Sequence, residues 1–287
     1  MEVQINGKTR LVGFFACPAQ HSLSPKIQSL AFQLTNSDAI YLAFEIQEGQ
    51  IEEALRSIFT FNMLGANVSM PHKNTVLQYL DHYSKSCHLI GAANTIVLRD
   101  KKLFGYNTDG IGFMQSLQSA GINYKGKTMT ILGAGGAATA MVCQAALEGV
   151  TKIHIFSRAG PRFEQMKEKV KGMQRQTSCS VTLNNFYDDE RFKKAVANSD
   201  ILVNATSIGM KENESPINDF SVIREDLVVY DAIYQPRESY LLKQAKKQGA
   251  RTLNGLGMLL YQGAASFELW THKKMPVKKI QTILEEI

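Results

Sequence analysis

The sequence predicts an α/β protein of two domains, each built on a mainly parallel sheet. Three observations carry this. Strand-like and helix-like segments alternate along the whole chain, the pattern that crossover helices and parallel strands produce. The length of 287 residues exceeds that of a typical single core. A fresh strand–helix alternation opens at 128–132, led by a glycine-rich turn.

In the first third, short apolar runs bounded by polar residues predict strands at 10–15, 41–46, 66–69, 95–98 and 103–106. Helices are expected between them at 25–34, 49–58 and 74–80. The first opens on Ser24 and Pro25, an expected N-cap and a proline suited to the first helical position. The second alternation places strands at 128–132, 152–156, 201–205 and 227–232, with a small-residue helix at 137–147. Residues 256–270 read as one long helix with an apolar stripe, and 277–286 as another.

Composition narrows the function class. Apolar residues at 44% and charged residues at 20% exclude a disordered chain, and 21 Gly with 7 Pro exclude a collagen-like one. No apolar run approaches the roughly 20 residues of a membrane helix. Residues 1–10 are polar and 11–17 too short for a secretory core, so a cytoplasmic protein is expected. The net charge of +6 is spread over scattered residues without interleaved aromatics. That disfavours a nucleic-acid surface. It leaves a mildly basic solvated surface or a basic cleft for small anions such as carboxylates and phosphates. Cys17, Cys87, Cys143 and Cys179 form no C-x-x-C pair, and the six histidines include no H-E-x-x-H. Neither a metal site nor a disulfide framework is expected.

The strongest local feature is T-I-L-G-A-G-G-A-A-T-A at 130–140. A strand runs into Gly133, Ala134, Gly135, Gly136 and Ala137, and a helix follows. Glycines permit a tight turn and close backbone approach to a diphosphate, and the helix N-terminus offers free N–H groups to that anion. A bare tight turn is the competing reading. The next strand ends S-R-A-G-P-R, with no acid from Ile153 to Phe163 to hold a ribose 2′-hydroxyl. Ser157, Arg158 and Arg162 suit a 2′-phosphate instead, unless they form a plain solvated loop. Taken singly, S-L-S-P at 22–25, P-H-K at 71–73, G-A-A-N-T at 91–95 and N-T-D-G at 107–110 read as caps, turns and exposed loops.

Their joint occurrence resembles the shikimate/quinate dehydrogenases. The matching segments are S-L-S-P, N-V-S-M-P-H-K at 67–73, G-A-A-N-T, G-Y-N-T-D-G at 105–110 and G-A-G-G-A-A at 133–138. N-A-T-S-I-G-M at 204–210, D-A-I-Y-Q-P at 231–236 and G-L-G-M-L-L-Y-Q-G-A at 255–264 complete the set, in order, from about residue 11 to the C-terminus. The second half looks closest to the branch that includes enzymes acting on quinate as well as shikimate.

The resemblance implies a discontinuous substrate-binding domain, 1–112 with 257–287, and an inserted Rossmann-like nucleotide domain, 113–256. It implies reversible reduction of 3-dehydroshikimate to shikimate within aromatic amino acid biosynthesis, with quinate as a possible second substrate. Lys73 and Asp109 fall on the family's catalytic pair. Ser22 and Ser24 fall on the carboxylate site. Ser69, Asn94, Thr108 and Gln262 fall on the ring hydroxyls, and Tyr41 is expected near the ligand. Thr206, Ser207, Met210, Ala232, Ile233, Tyr234, Gly255 and Met258 would border the cofactor. Both basic positions of the NADP-binding pattern remain at Arg158 and Arg162, although its Asn and Thr are lost, so NADP is expected ahead of NAD. A monomer or homodimer acting on small molecules, without nucleic acid or membrane, is the expected state. A non-catalytic sensor that keeps the pocket, and another two-domain dehydrogenase sharing the glycine loop, are the alternatives.

Overall fold

A computed structural model describes residues 5–285. The chain divides into two compact units, one taking in the chain up to Gly112 and again from Leu260, the other Phe113–Leu259.

The first unit begins β1 (Arg10–Ala16), α1 (Ser24–Leu34), β2 (Ala39–Glu45), α2 (Ile51–Thr60) and β3 (Gly65–Val68). Next come a 3-10 turn (Thr75–Tyr79), β4 (His82–Tyr83), α3 (Lys85–Ile90), β5 (Thr95–Arg99) and β6 (Lys102–Tyr106). Helix α4 (Asp109–Ser119) carries the chain across the unit boundary. The sheet order is β2-β1-β3-β5-β6-β4. It is mainly parallel, and β5 departs by running antiparallel to both β3 and β6. The tight β5–β6 connection uses Asp100 and Lys101, both at positive φ, as a two-residue hairpin turn requires. On α2, Ile51, Ala54, Leu55 and Ile58 are buried at helical spacing while Glu52 and Glu53 sit in its first turn, where the helix dipole favours acids. The expected helix at 74–80 is only the 3-10 turn, and α3 follows it, capped by Ser84 and ended by Gly91 in the left-handed conformation.

The second unit continues with β7 (Thr128–Leu132), α5 (Gly136–Leu147), β8 (Lys152–Ser157), α6 (Pro161–Gln176), β9 (Ser180–Asn185) and α7 (Asp189–Ala197). It ends with β10 (Ile201–Asn204), a short 3-10 turn (Phe220–Val222), β11 (Val228–Asp231), α8 (Tyr240–Lys247) and β12 (Arg251–Leu253). Helix α9 (Leu256–Thr271) returns the chain to the first unit, and the crossing at Leu259/Leu260 falls inside it, a few residues beyond the expected 256/257. Helix α10 (Val277–Glu285) follows; its expected end at Glu286 lies outside the described residues. All five pairings in the order β12-β11-β10-β7-β8-β9 are parallel. This is the doubly wound Rossmann order, whose ligand crevice lies outside the carboxyl ends of the strands where the winding reverses, here between β7 and β10. Ile201, Leu202 and Val203 are essentially inaccessible, as central parallel strands are.

One close approach ties the first unit together. The Trp270 indole N–H donates to the Ile96 carbonyl at 2.9 Å, beside Gly65 at φ +154°. A Cβ at Gly65 would overlap that same carbonyl oxygen. Gly65→Ala should therefore lower stability by about 3 kcal/mol, the scale of a forced overpacking. Trp270→Phe should lose about 1 kcal/mol, one hydrogen bond. Urea unfolding of the two variants checks the ranking.

Candidate active site

The polar residues singled out in the first unit lie beyond the carboxyl ends of β1 and β3, within β2, just before β5, at the β6–α4 turn and on α9. The segment after β3 is pinned by Ser69 N–H to the Phe15 carbonyl (2.9 Å), Cys17 N–H to the Met70 carbonyl (3.0 Å) and Ala93 N–H to the Lys73 carbonyl (2.9 Å). Buried His72 adds a ring nitrogen 2.7 Å from the Ile46 carbonyl. Lys73 is thus fixed at its backbone and reaches out by its side chain alone. Its Nζ lies 2.6 Å from Asp109 Oδ2, in an ion pair more buried than any other among the described residues, 27% and 14% exposed. Asp109 is the first residue of α4, where the dipole supports a carboxylate.

Asn94 completes the pair's surroundings. Its Nδ2 donates to Asp109 Oδ1 (2.8 Å) and Thr108 Oγ1 (2.9 Å), with Gln262 Oε1 at 3.4 Å. The Thr108 backbone N–H donates to Asn94 Oδ1 at 2.8 Å and so sets which way the carboxamide points. On the other side, Tyr41 donates to Asn67 Oδ1 at 2.8 Å, and Asn67 Nδ2 donates to the Asn94 carbonyl at 3.0 Å. The Ser24 hydroxyl bonds the Tyr41 phenol. Tyr41 is 3% exposed, and burial pushes its phenol well above the usual tyrosine range, against a smaller opposing effect of the Ser24 bond. Ser24, Tyr41, Asn94, Thr108, Asp109, Lys73 and Gln262 therefore share one hydrogen-bonded set, with Tyr41 in its buried layer. The cap expected at Ser24 is corrected. Helix α1 starts at Ser24 itself, its N-cap Leu23 makes no side-chain bond, and Ser22 Oγ accepts the Ser24 N–H at 3.1 Å.

In the second unit a cleft of about 720 Å³ is lined by Gly133, Ala134, Gly135, Ser157, Arg158, Arg162, Thr206 and Ser207 among others. Gly136 and Ala137 open α5 behind it. Gly133 has φ +113° and stands against the Ala205 carbonyl, whereas a Cβ built on Gly135 or Gly136 would meet nothing within 4 Å. That is an open backbone cradle at a helix N-terminus, suited to a diphosphate. Gly160, at the N-cap of α6, has φ +144°. Met210, Ala232, Ile233, Tyr234, Gly255 and Met258 do not line this cleft. Met210 is 61% exposed. The segment from Ala232 to Tyr234 follows β11, and Gly255 N–H donates to the Ile233 carbonyl at 3.0 Å, so close that a Cβ on Gly255 would overlap the Ala232 carbonyl. Buried Asp231 organises these turns. It accepts from Asn204 Nδ2 (3.0 Å), Ile233 N–H (3.0 Å) and Ser239 Oγ (2.6 Å). Burial raises its carboxyl above the usual range despite those bonds.

A model of the shikimate dehydrogenase substrate binding domain matches residues 14–96, and one of the shikimate 5'-dehydrogenase C-terminal domain matches residues 255–285. The shikimate dehydrogenase (NADP(+)) of Listeria innocua is 44% identical over 283 residues, 98% of this chain and 97% of that protein. The chain belongs to the shikimate dehydrogenase family. A solved structure of shikimate 5-dehydrogenase from Listeria monocytogenes, in complex with shikimate and NAD, is 43% identical with a TM-score of 0.96 over 99% of both chains. A 5-ketofructose reductase of a Gluconobacter strain is 31% identical with a TM-score of 0.89, covering 98% of this chain and 99% of that one. Membership removes the alternative of an unrelated dehydrogenase sharing only the glycine loop.

Four further residues build these sites, and of them only Asn67 stands within a motif of the sequence, N-V-S-M-P-H-K. Asn67 and Ser266 belong to the buried polar set; Ser266 lies one helical turn beyond Gln262, a spacing that puts both on one face. Phe186 and Tyr187 wall the second unit's cleft just beyond β9, whose strand was not foreseen.

The buried Tyr41 phenol yields a pH prediction. Its folded-state pKa is raised above the unfolded value, so the associated stability is full below about pH 10 and is lost as pH rises beyond it. Unfolding midpoints should fall above pH 10, and Tyr41→Phe should flatten part of that fall. Urea titrations across pH 8 to 11, in roughly half-unit steps, measure it.

Proposed function

We propose that this chain is a shikimate dehydrogenase that interconverts 3-dehydroshikimate and shikimate, with NADP preferred over NAD. The Lys73–Asp109 pair carries this reading, because it joins a cation, a carboxylate and a set of buried donors at one place. Ser22 and Ser24 would take the substrate carboxylate, and Ser69, Asn94, Thr108 and Gln262 the ring hydroxyls. Tyr41 serves from below, orienting Asn67. Under this reading the first unit is the substrate domain and the second the nucleotide domain.

A bound nicotinamide cofactor supplies or accepts the hydride. Gly133, Ala134, Gly135, Gly136 and Ala137 would hold its diphosphate, and Ser157, Arg158 and Arg162 its ribose phosphate. The loop segments holding Thr206, Ser207 and Met210, Ala232 to Tyr234, and Gly255 with Met258 are proposed for its remaining border. The work of Lys73 and Asp109 is on the proton. A carbonyl that gains hydride becomes an alkoxide, and the Lys73 ammonium stabilises that oxygen and gives it a proton. In the reverse direction the pair accepts the hydroxyl proton. Asp109, held by Asn94 on one oxygen and Lys73 on the other, keeps the ammonium aimed. No disulfide joins Cys17, Cys87, Cys143 or Cys179, in keeping with the reducing, cytoplasmic setting proposed here.

Steady-state oxidation of shikimate, and separately of quinate, with each cofactor tests the reading. Lys73→Ala and Asp109→Asn should each lower kcat by about 10²-fold, the scale of lost acid–base assistance. Near-normal kcat in a folded Lys73→Ala variant would remove Lys73 from the mechanism. This assay also separates an enzyme from a sensor that binds without turnover.

Cofactor choice has its own test. Each charge-assisted contact to a 2′-phosphate contributes roughly 1.5–3 kcal/mol. Arg158→Ala should therefore lower kcat/KM for NADP by roughly ten- to a hundredfold while leaving NAD nearly unchanged. The wild-type preference should shrink as salt rises, since Arg158 and Arg162 are exposed. Equal damage to both cofactors would mean that Arg158 contacts the part they share.

A further inference from the structure

Ser266 touches neither Lys73 nor Asp109, yet it sits at the centre of the bonds that hold their neighbour Asn94. It is fully buried on α9, as are Thr95 and Thr108 beside it. Its Oγ lies 2.7 Å from Thr95 Oγ1, 3.1 Å from Thr108 Oγ1 and 3.2 Å from Asn67 Nδ2, and donates to the Gln262 carbonyl at 3.0 Å. We propose that Ser266 is a positioning residue for the dehydrogenase reaction, acting through Thr108 and Asn94 on Asp109. This rests on the functional reading above.

Counting protons shows why the hydroxyl is needed. Ser266 has one proton and two lone pairs. The proton goes to the Gln262 carbonyl, so both lone pairs accept. The orientation of Asn94 is fixed by the Thr108 backbone N–H on its Oδ1, which leaves its two amide protons for Asp109 Oδ1 and Thr108 Oγ1. Thr108 Oγ1 is then an acceptor, and its own proton needs another place. Two oxygens are in reach: Ser266 Oγ at 3.1 Å and Asn94 Oδ1 at 3.2 Å. Thr95 faces the same choice, with Ser266 Oγ at 2.7 Å and Asn94 Oδ1 at 3.0 Å.

Without the Ser266 hydroxyl, the nearest acceptor for both threonine protons is Asn94 Oδ1, which already accepts the backbone N–H, and the two threonine hydroxyls are 3.5 Å apart. Three donors would then compete for two lone pairs in a site closed to water. One threonine must turn away and leave a buried donor unmet, which is the costly outcome in a low-dielectric network. The turn of Thr108 removes the nearer acceptor of one Asn94 amide proton and leaves it only Gln262 Oε1 at 3.4 Å. The carboxamide then rocks, and Asp109 Oδ1 loses the donor that fixes it against Lys73. At the far end, Tyr41 fixes Asn67 in the same way, so that its two amide protons go to the Asn94 carbonyl and to Thr95 Oγ1, both at 3.0 Å, and the lone pairs of Ser266, at 3.2 Å, stay with the threonines.

The test is a double-mutant cycle on the full chain with shikimate and NADP, alongside thermal melts. Ser266→Ala should lower kcat roughly tenfold or more, the scale of a small misplacement of reacting groups, while KM for shikimate stays within about threefold. In an Asp109→Asn background the same substitution should lower kcat by less than about twofold, because its route of action is already gone. Ser266→Cys fills the position with a slightly larger atom that is a poor acceptor, and should lose kcat as the alanine variant does. If Ser266→Ala does not fold, Tyr41→Phe removes only the far hydroxyl, and the same cycle with Asp109→Asn is read from it. Wild-type kcat in a folded Ser266→Ala or Ser266→Cys variant overturns the positioning role. So does an equal kcat loss in both backgrounds, which is the mark of a merely structural residue. Absence of wild-type turnover on shikimate with either cofactor overturns the functional reading, and the Ser266 proposal with it.

Discussion

The Asn94 carboxamide is the constraint on which the candidate site depends. A primary amide has two faces that differ in sign, and here each face is dictated by a partner that cannot change its own. The Thr108 backbone N–H can only donate, and the Asp109 carboxylate can only accept. Asn94 therefore translates a fixed backbone direction into a fixed carboxylate, and Lys73 follows the carboxylate. The ends of β3, β5 and β6 and the start of α4 converge on this one group. The hairpin that turns β5 back on β6 brings Thr95 and Thr108 to the same layer, which accounts for an antiparallel strand in an otherwise parallel design.

A similar device operates in the second unit. Asn204 and Asp231 end neighbouring parallel strands and bond to each other in the interior. Asn204 also accepts the Thr206 N–H and hydroxyl, and Asp231 takes the Ile233 N–H. Each strand end thus fixes the loop beyond it. Ser239 serves twice, donating to Asp231 and accepting the Leu242 N–H as the N-cap of α8. The motif residues Asn204 and Asp231 act as loop anchors beneath the surface, and their neighbours present the outward chemistry.

The sequence was legible where one physical signal dominated. Strands β1, β7 and β10 are short apolar runs buried on both faces, and α5 is apolar all round; no other reading of those segments is consistent. The glycine turn after β7 was legible because Gly133 needs a backbone conformation that other residues resist. Strand β9 and helices α6 and α7 were harder. Only Met166, Val170 and Met173 of α6 are buried among sixteen residues, so the apolar stripe is thin against a charged surface. Strand β12 has three residues and no periodicity to show. At the candidate site, Lys73, Asp109 and Asn94 stand out in the sequence through the joint presence of several motifs. The roles of Asn67 and Ser266 do not, because a buried hydroxyl or amide gives no pattern along the chain; its role exists only once distant segments meet.

The geometry at Gly160 bears on how readily this enzyme could be re-engineered. Position 160 lies in the loop proposed to meet the ribose phosphate, and its φ of +144° is open to glycine and strained for a side chain. A carboxylate side chain there would find open space around its Cβ, but it would hold the backbone in a conformation that favours glycine. A route to a 2′-hydroxyl-binding enzyme would have to place the acid on Ser157 or Ala159, or rebuild the loop that leads into Pro161. At this position the backbone itself selects glycine and so keeps a carboxylate out of the loop.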